Sequence, residues 1–504
     1  MKNIKNKDSF LKNAAILAAS GIIARFMGFL YRIPMQNILG DSGTGIYSAA
    51  FNLYLFFFVI SSAGIPSAVS KMISYRIAKG QDTRKVLGIS ILFSGSLGFI
   101  SMLVLFFFAD ALAYFIGMPR AALSIKALAP TVFTVSLMSS FKGYFLGNRN
   151  SAPVAYSQLV DQLVNAALSV LLVYMFIERG VLYAAFGGTL ATFFGSLIGF
   201  LILFIIFIKL KKEPKSNVEK TSSVLKELVF TAIPIVAGTA IFGVTNIIDT
   251  RMAMNLLTNS GFSIYEAEVL FGQLGGKYVV ITTLPVAVSS AIAMAVIPSI
   301  SAASANEDYG KVRSKTNSAL KLGMLIAMPA SFGVGILAEP ILHFLFPNNY
   351  EGYMLLVVGA ASILFLSLSQ ISTGILHGLS VLKVPVLAAA LGSILKIPLN
   401  YILISNPSIN IVGAVISTTV CYIVASSINL FFVYKKTELK LEIKNTFIKP
   451  FFASSIMAIS IFFLRDFVLI VPLIAGFLIY IIVLFLTKAL TKEELAMLPL
   501  KRFK

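Results

Sequence analysis

Residues 11–39 read LKNAAILAASGIIARFMGFLYRIPMQNIL, an apolar stretch long enough to cross a membrane as a helix. Such a span needs about 20 mostly apolar residues. The stretch nevertheless carries Arg25 and Arg32, and one arginine near the centre of a span costs about 2.5 to 3.5 kcal/mol on insertion scales. The two arginines are two helical turns apart, so they project from one face. We therefore expect that face to avoid lipid.

Two interpretations of this face are open. In the first, Arg32 extends to the outer headgroups and Arg25 pairs with a buried acid. In the second, both arginines form a cationic wall that binds an anion. The rest of the chain bears on the choice.

The composition is that of a polytopic membrane protein. The chain has 504 residues, 58% hydrophobic and 12% charged, and its mean hydropathy is +0.89. These values exclude a water-soluble globular protein. In a soluble protein the net charge of +20 would indicate nucleic-acid binding. Here the basic residues collect in alternate short loops, as the positive-inside rule requires, so we expect no nucleic-acid partner.

Few residues in the chain are suited to catalysis or to metal binding. Cys421 is the only cysteine, and His343 and His377 lie at ends of different apolar segments, so we expect neither a disulfide nor a metal or other cofactor. The sequence has no phosphate-binding loop, zinc-protease motif or nucleophile elbow. We predict a protein that is not an enzyme and that draws energy from an ion gradient, the membrane potential, its substrate or a partner.

Apolar segments of spanning length follow one another along the whole chain. They predict an all-α fold of about fourteen transmembrane helices. The basic start MKNIKNKDSF resembles a signal peptide, but the following apolar run is too long and lacks a small-residue cleavage site, so we expect it to be retained. The segments cover residues 11–39, 46–75, 86–109, 123–147, 153–177, 181–208, 225–257, 270–300, 315–343, 352–377, 384–404, 410–434, 447–464 and 467–487.

Loop charges alternate along these segments. Lysine and arginine fill every second loop, as in residues 79–85, 209–220, 311–315 and 435–444, whereas Asp41, Glu268 and Glu351 mark the opposite loops, with Arg120 as one of their few cations. The pattern predicts a cell-membrane protein with both termini in the cytoplasm.

The chain also contains an internal repeat. Ser136, Leu137, Gly143 and Gly147 recur as Ser367, Leu368, Gly374 and Gly378, and a shorter match pairs residues 109–115 with 338–344. The repeat predicts two six-helix lobes that enter the membrane in the same direction. We expect an N-terminal lobe at 1–208, a cytoplasmic linker at 209–224, a C-terminal lobe at 225–434, and two further helices with a tail at 435–504.

Charged residues inside the predicted spans are the candidate site. We assign substrate binding to five cations and ion coupling to two acids, because intramembrane charges usually mark a transport path. Asp249 and Arg251 are two residues apart, so they cannot both face one cavity. For Lys277 the alternative is a position among the outer headgroups. Asp161 and Lys396 belong to polar stripes on their helices, and such stripes would also fit polar packing between two helices. The cations are Arg25, Arg32, Arg251, Lys277 and Lys396, and the acids are Asp161 and Asp249.

Two stretches carry a family resemblance, SGIIARFMGFLYRIPMQNILGDSGTGIYSAAFNLY (20–54) and SSAGIPSAVSKMISYRIAKG (61–80). They resemble the first two helices of the polysaccharide-transport branch of the multidrug/oligosaccharidyl-lipid/polysaccharide (MOP) exporter superfamily, the branch of stage V sporulation protein B-like proteins and MurJ-type lipid II flippases. The resemblance implies a V-shaped cavity lined by helices one, two, seven and eight, with the arginines of helix one inside it. MurJ-type proteins carry a further arginine in helix two, whereas residues 51–63 have none.

The resemblance and the buried cations together favour a lipid-linked oligosaccharide flippase. Its expected substrate is an undecaprenyl-pyrophosphate peptidoglycan precursor, moved to the outer leaflet for cell-wall or spore-cortex synthesis. The expected partners are membrane lipids, this substrate, Na⁺ or H⁺, and cell-wall synthases. One alternative is a cation-coupled multidrug antiporter, which should carry acids in its cavity. Another is a non-transporting membrane partner of cell-wall synthases.

Overall fold

The computed structural model describes residues 2–210, 220–438 and 442–489. Short π-helical segments at Val59–Ala63, Gln273–Tyr278 and Lys444–Ile448 join some of its helices. The α-helices are α1 (Lys2–Phe58), α2 (Ile65–Ala78), α3 (Arg84–Phe107), α4 (Ala109–Phe115), α5 (Ala122–Gly147), α6 (Ala152–Phe176), α7 (Val181–Lys209), α8 (Thr221–Asn259), α9 (Ile264–Gly272), α10 (Val279–Ala305), α11 (Tyr309–Ile336), α12 (Ala338–Leu345), α13 (Tyr353–Gly378), α14 (Lys383–Ile404), α15 (Val412–Thr437), α16 (Lys449–Leu464) and α17 (Ile470–Leu486).

Helix α1 is broken at Gly40. The apolar segment Ala19–Ala78 runs for 60 residues, about three times the length of helix that crosses a bilayer core. Gly40 has φ 67° and ψ −178°, a backbone conformation that glycine reaches because it lacks a Cβ. The break divides α1 into a first arm (residues 2–39) and a second arm (residues 41–58), in agreement with the gap predicted between the first two spans.

The number of apolar helices agrees with the sequence. Within the described ranges, 11 segments are long and apolar enough to cross a membrane, or 12 when the bent pair Thr221–Ala237 and Thr239–Asn259 counts as one span. Ile470–Leu486 is a shorter apolar helix. Division of Ala19–Ala78 at Gly40 adds one span to the 12, and Ile470–Leu486 adds another, which gives fourteen. The prediction of an all-α polytopic membrane fold is confirmed.

The chain forms two compact units. The first unit comprises Met1–Gly276 and Ile404–Ile411, and the second comprises Lys277–Leu403 and Val412–Lys504. The short segment after α14 joins the first unit, where the Ser260 hydroxyl donates to the carbonyl of Ser405 at 2.9 Å. The lobe boundaries expected at 1–208, 209–224, 225–434 and 435–504 rest on the sequence repeat and stay a prediction.

Each unit contains the same glycine-mediated helix contact. In the first unit Gly143 of α5 packs on α2, where an added Cβ would lie 2.6 Å from the Cβ of Val69. In the second unit Gly374 of α13 packs on α10, where an added Cβ would lie 2.6 Å from the carbonyl oxygen of Ala293. These glycines hold matching positions in the repeat. The short helices α4 and α12 also match, and both directly follow a spanning helix.

The predicted orientation of the chain is testable by cysteine labelling. In a Cys421→Ser background, Ser216→Cys and Lys440→Cys should react with an impermeant thiol reagent only from the cytoplasm, because they lie in basic loops. Ser260→Cys, just after α8, should react only from outside. Ser216 and Lys440 lie outside the described residues. Labelling of position 260 from the cytoplasm would contradict the fourteen-span topology.

Candidate functional site

The arginine face of α1 lies against α6 at its middle. Gly28 is on the same face as both arginines, and a Cβ added there would lie 3.5 Å from Nε2 of Gln162. Arg25 is exposed and Arg32 is half-buried. The structure therefore keeps one guanidinium of the predicted pair accessible and packs the other among neighbouring side chains.

Aromatic side chains of α1 surround Arg32. Its guanidinium carbon lies 5.9 Å from the ring centroid of Phe51, and it interacts electrostatically with Tyr31 and Tyr47. A cation over an aromatic face is stabilised by the ring quadrupole. This environment stabilises an arginine inside the span, and the two interpretations of the arginine face stay predictions.

A ladder of four rings runs along the second arm of α1. The ring centroids of consecutive members are 5.9, 5.3 and 6.1 Å apart. These spacings are within the range of favourable aromatic pairs. The ladder connects the surroundings of Arg32 with those of Asp161, because its third ring interacts electrostatically with that acid. Its members are Tyr47, Phe51, Tyr54 and Phe58.

Asp161 lies on the side of α6 that packs against α7. It is half-buried, and Cβ atoms added at Gly195 and Gly199 would lie 2.9 Å from its Oδ1 and 3.0 Å from its Cβ. One turn further along, Oδ1 of Asn165 accepts hydrogen bonds from Ser169 at 3.1 Å and Thr192 at 3.3 Å. Asp161 is therefore part of a polar interior of the first unit.

Sequence reasoning missed a second charge in this interior. Lys142 of α5 is half-buried and interacts electrostatically with Asp161. We define the polar interior as Tyr54, Lys142, Asp161, Asn165 and Thr192. Lys142 lies inside the apolar segment 123–147, five residues before the segment ends at Gly147. A lysine so near the end of a span commonly extends to the membrane surface, so its position did not mark it as a site residue.

Asp249 and Arg251 have different surroundings on α8, as their spacing predicts. Asp249 is half-buried and Arg251 is exposed. The Arg251 guanidinium carbon lies 4.2 Å from the ring centroid of Phe115 on α4. Between the two charges, Thr250 is buried and its hydroxyl accepts a hydrogen bond from Asn52 at 3.1 Å. Arg251 thus remains accessible, with one face on an aromatic ring.

Lys277 and Lys396 belong to the second unit. Lys277 is completely buried, and its ammonium donates to Oδ1 of Asn349 at 3.2 Å and to the carbonyl of Glu351 at 2.9 Å. These bonds tie down the segment after α12, and the predicted substrate contact of Lys277 and its headgroup alternative stay predictions. Lys396 of α14 is 9% exposed, which leaves little of it open to a ligand.

The glycine-rich start before Lys277 also has a structural role. The backbone of α9 lies directly against α1 after the Gly40 break: Cβ atoms added at Gly45 and Gly272 would collide with the backbone of Glu268 and Asp41. These glycines allow the two helices to approach closely.

This junction buries the carboxylate of Glu268, which the charge pattern assigns to an outer loop. Glu268 is 0% exposed, and its carboxylate accepts from Arg120 at 2.6 Å and from Ser42 at 3.1 Å. Asp41 is 4% exposed and accepts from Gln36 at 2.6 Å. Both acids are therefore buried at the close α1–α9 contact, and their place on the outer side of the membrane stays a prediction.

Known families and proteins match this chain over most of its length. Residues 10–304 match a family model described as "Polysaccharide biosynthesis protein", and residues 278–402 match one described as "MatE". The chain is 24% identical to stage V sporulation protein B of Bacillus subtilis (strain 168), over 98% of both chains. It is 26% identical to lipid II flippase MurJ of the same organism, over 82% of this chain and 80% of that protein.

Solved structures share the fold. The lipid II flippase MurJ in an inward closed conformation superposes with a TM-score of 0.72 at 16% identity, covering 93% of this chain and 98% of that one. An inward-facing multidrug resistance MATE family transporter of the MOP superfamily superposes with a TM-score of 0.65 at 14% identity, covering 83% of this chain and 98% of that one.

Proposed function

We propose that the chain flips an undecaprenyl-pyrophosphate peptidoglycan precursor of the lipid II type. The premise is that the chain belongs to the polysaccharide biosynthesis protein family of the MOP superfamily. Members of this family are multi-pass membrane transporters rather than enzymes. The proposed direction is from the inner to the outer leaflet of the cell membrane, by alternating access.

The observation that carries the proposal is the accessible guanidinium of Arg25, on the face of α1 that also holds Arg32. A pyrophosphate carries at least two negative charges, and a guanidinium binds such a group through a planar fork of donors. Arg251 offers a further exposed guanidinium in the same unit. Lys277 and Lys396, which are buried in the second unit, stay predicted substrate contacts.

The assignment to peptidoglycan rests on relatives. Stage V sporulation protein B and lipid II flippase MurJ are similar to this chain at 24% and 26% identity. We therefore propose cell-wall or spore-cortex synthesis as the process served, with membrane lipids as surroundings and cell-wall synthases as the consumers of the flipped substrate.

The direct test is headgroup translocation by purified protein in liposomes. Lipid II and a lipid-linked sugar on a monophosphate carrier would be compared with protein-free liposomes and with the Arg25→Ala protein. We expect protein-dependent appearance of the lipid II headgroup in the opposite leaflet, and little for the monophosphate. Equal rates with and without protein, for every lipid-linked substrate, would refute the proposal.

A cation-coupled multidrug antiporter is the second candidate. The match of residues 278–402 to the MatE model and the acids Asp161 and Asp249 in the first unit favour it. An antiporter should extrude cationic dyes from loaded liposomes against an imposed Na⁺ or H⁺ gradient. Dye extrusion without lipid translocation would replace the flippase proposal with this one.

Asp161 is the proposed coupling residue, with Asp249 as the second acid. If Asp161 takes a cation or a proton during the cycle, Asp161→Asn should abolish the dependence of translocation on the ion gradient while substrate binding persists. Translocation would be measured with and without an imposed gradient. Asp110→Asn is the matched control, since Asp110 is an exposed acid of the same unit that pairs with Lys126 at 2.8 Å. If the gradient dependence of translocation is unchanged in Asp161→Asn, Asp161 has a structural role in helix packing and no role in ion coupling.

A further inference from the structure

Two ion pairs hold the segment α8–α9 to helices that precede it in the chain. Near the start of α8, the carboxylate of Glu227 accepts from Arg76 of α2 at 2.7 Å. Beyond the end of α8, Glu268 of α9 accepts from Arg120, which lies between α4 and α5, at 2.6 Å. All four residues belong to the first unit. The 39 residues of α8 amount to about 58 Å of helix, so the two pairs lie at opposite ends of a helix longer than a bilayer core is thick.

Each pair joins one buried side chain to one accessible side chain. The side chain of Arg76 is 4% exposed and that of Glu227 is 42% exposed. On the other pair, Glu268 is 0% exposed and Arg120 is 38% exposed. A buried charge that loses its partner is strongly destabilised, whereas water can hydrate the accessible partner. Each pair therefore favours the joined arrangement, and each can be weakened from its accessible side.

Between the two pairs, α8 packs closely on the same unit through glycines. A Cβ added at Gly64 would lie 2.9 Å from the carbonyl oxygen of Ala232, and a Cβ added at Gly243 would lie 3.2 Å from the Cα of Phe56. Small residues of this kind let two helix backbones approach each other. The helix α8 bends by 42° after Ala237, between these two contacts. Its two ends can therefore move separately.

The charge pattern of the sequence predicts that the two pairs lie on opposite sides of the membrane. Arg76 comes just before the basic loop at 79–85, and Glu227 comes just after the basic linker at 209–224, both of which are predicted to be cytoplasmic. Arg120 and Glu268 lie in loops predicted to be outside. On this topology, opening toward one side separates the pair on that side while the other pair stays formed.

We propose that the two ion pairs are latches of the transport cycle: Arg76–Glu227 closes access to the arginine face of α1 from the cytoplasm, and Arg120–Glu268 closes it from outside. The inference rests on the alternating access of the proposed function and assigns its closure to these four residues. Both latches are formed in this structure. Loss of one latch shifts the population toward opening on its own side, because the conformation that keeps the pair loses its advantage.

The test is the reaction of a cysteine on the arginine face with an impermeant thiol reagent, applied to one side of sealed vesicles at a time. The reporter is Gly21→Cys in a Cys421→Ser background. Gly21 lies one turn before Arg25 on the same face, and a Cβ added there meets no atom within 4 Å. Glu227→Gln should raise the labelling rate at least fivefold from the cytoplasm and leave it unchanged from outside. Glu268→Gln should do the reverse.

Two further variants separate a latch from a general loss of structure. Lys126→Met is the matched control, because Lys126 pairs with Asp110 in the first unit at 2.8 Å without contacting α8 or α9 through that pair. It should leave labelling unchanged from both sides. Glu227→Asp keeps the negative charge, so it should be labelled more slowly from the cytoplasm than Glu227→Gln.

Each latch is overturned if its glutamine variant leaves labelling unchanged, or raises it from the opposite side. The same holds if Lys126→Met raises labelling as much as the glutamine variants do, or if Glu227→Asp is labelled as fast as Glu227→Gln. If Glu268→Gln does not fold, Arg120→Gln replaces it, because that side chain is accessible. If neither folds, the cytoplasmic latch decides.

These outcomes are independent of the flippase assay, since labelling needs no lipid-linked substrate. A rise confined to one side supports the latch on that side whether or not the protein flips lipid II. A protein that flips lipid II while its glutamine variants are labelled like the reporter background retains the proposed function and refutes this inference.

Discussion

Arg25→Ala should abolish translocation of a lipid-linked pyrophosphate while the protein remains in the membrane at near-normal abundance. Arg25 is exposed on α1, so its truncation removes no buried contact. A hydrogen bond to a charged group contributes about 1.5 to 3 kcal/mol, which corresponds to roughly 10- to 150-fold in affinity. The measurement is headgroup translocation in liposomes at matched protein amounts.

Conservative and control variants separate this role from a structural one. Arg25→Lys should be partly active, because lysine keeps the charge but loses the bidentate fork. Arg32→Ala should slow translocation less than Arg25→Ala and should also lower the melting temperature, because Arg32 packs over Phe51. Arg179→Ala, at an exposed arginine beyond α6, should be neutral. Full translocation by a well-expressed Arg25→Ala protein would refute the proposal that α1 binds the pyrophosphate of the substrate through this arginine.

Gly272→Ala is expected to have the largest effect on stability. A Cβ at position 272 would overlap the backbone carbonyl of Asp41, and a backbone atom cannot move aside as a flexible side chain can. Overpacking of a close contact costs about 3 kcal/mol, and here it would also loosen the cover of Glu268. We expect a melting temperature several degrees below wild type and less monodisperse protein in detergent.

Gly88→Ala is the matched control for this effect. Gly88 lies inside α3, and a Cβ added there meets no atom within 4 Å. Alanine is favoured over glycine in a helix by up to about 1 kcal/mol, so this variant should be as stable as wild type or slightly more stable. If both alanine variants melt alike, the direct backbone contact between α1 and α9 is wrong.

The spanning helices were predictable from the sequence because hydrophobic length is a local property. The segment expected at 181–208 is α7, Val181–Lys209, and the gap after residue 39 is the break at Gly40. The internal repeat was predictable for a related reason. Gly143 and Gly374 recur in the sequence because each is needed where two helices touch.

The surroundings of individual charges were not predictable in the same way. Glu268 lies near a segment end, where hydropathy favours a solvent-facing acid, yet Ser42 and Arg120 cover it from parts of the chain far away in sequence. The partners of Lys277 were not predictable for the same reason, since its ammonium donates to Asn349 and Glu351 far along the chain. Position along a span gives the depth of a charge, whereas its partners depend on which helices become neighbours.

The break at Gly40 has a consequence for biosynthesis. One residue of non-helical backbone separates the two arms of α1. No loop therefore lies between the end of the first span and the start of the second. Arg25 and Arg32 each add a free-energy cost to insertion of the first span alone. We infer that both arms enter the bilayer together as a helical hairpin, in which the arginine-free second arm offsets the cost of the first.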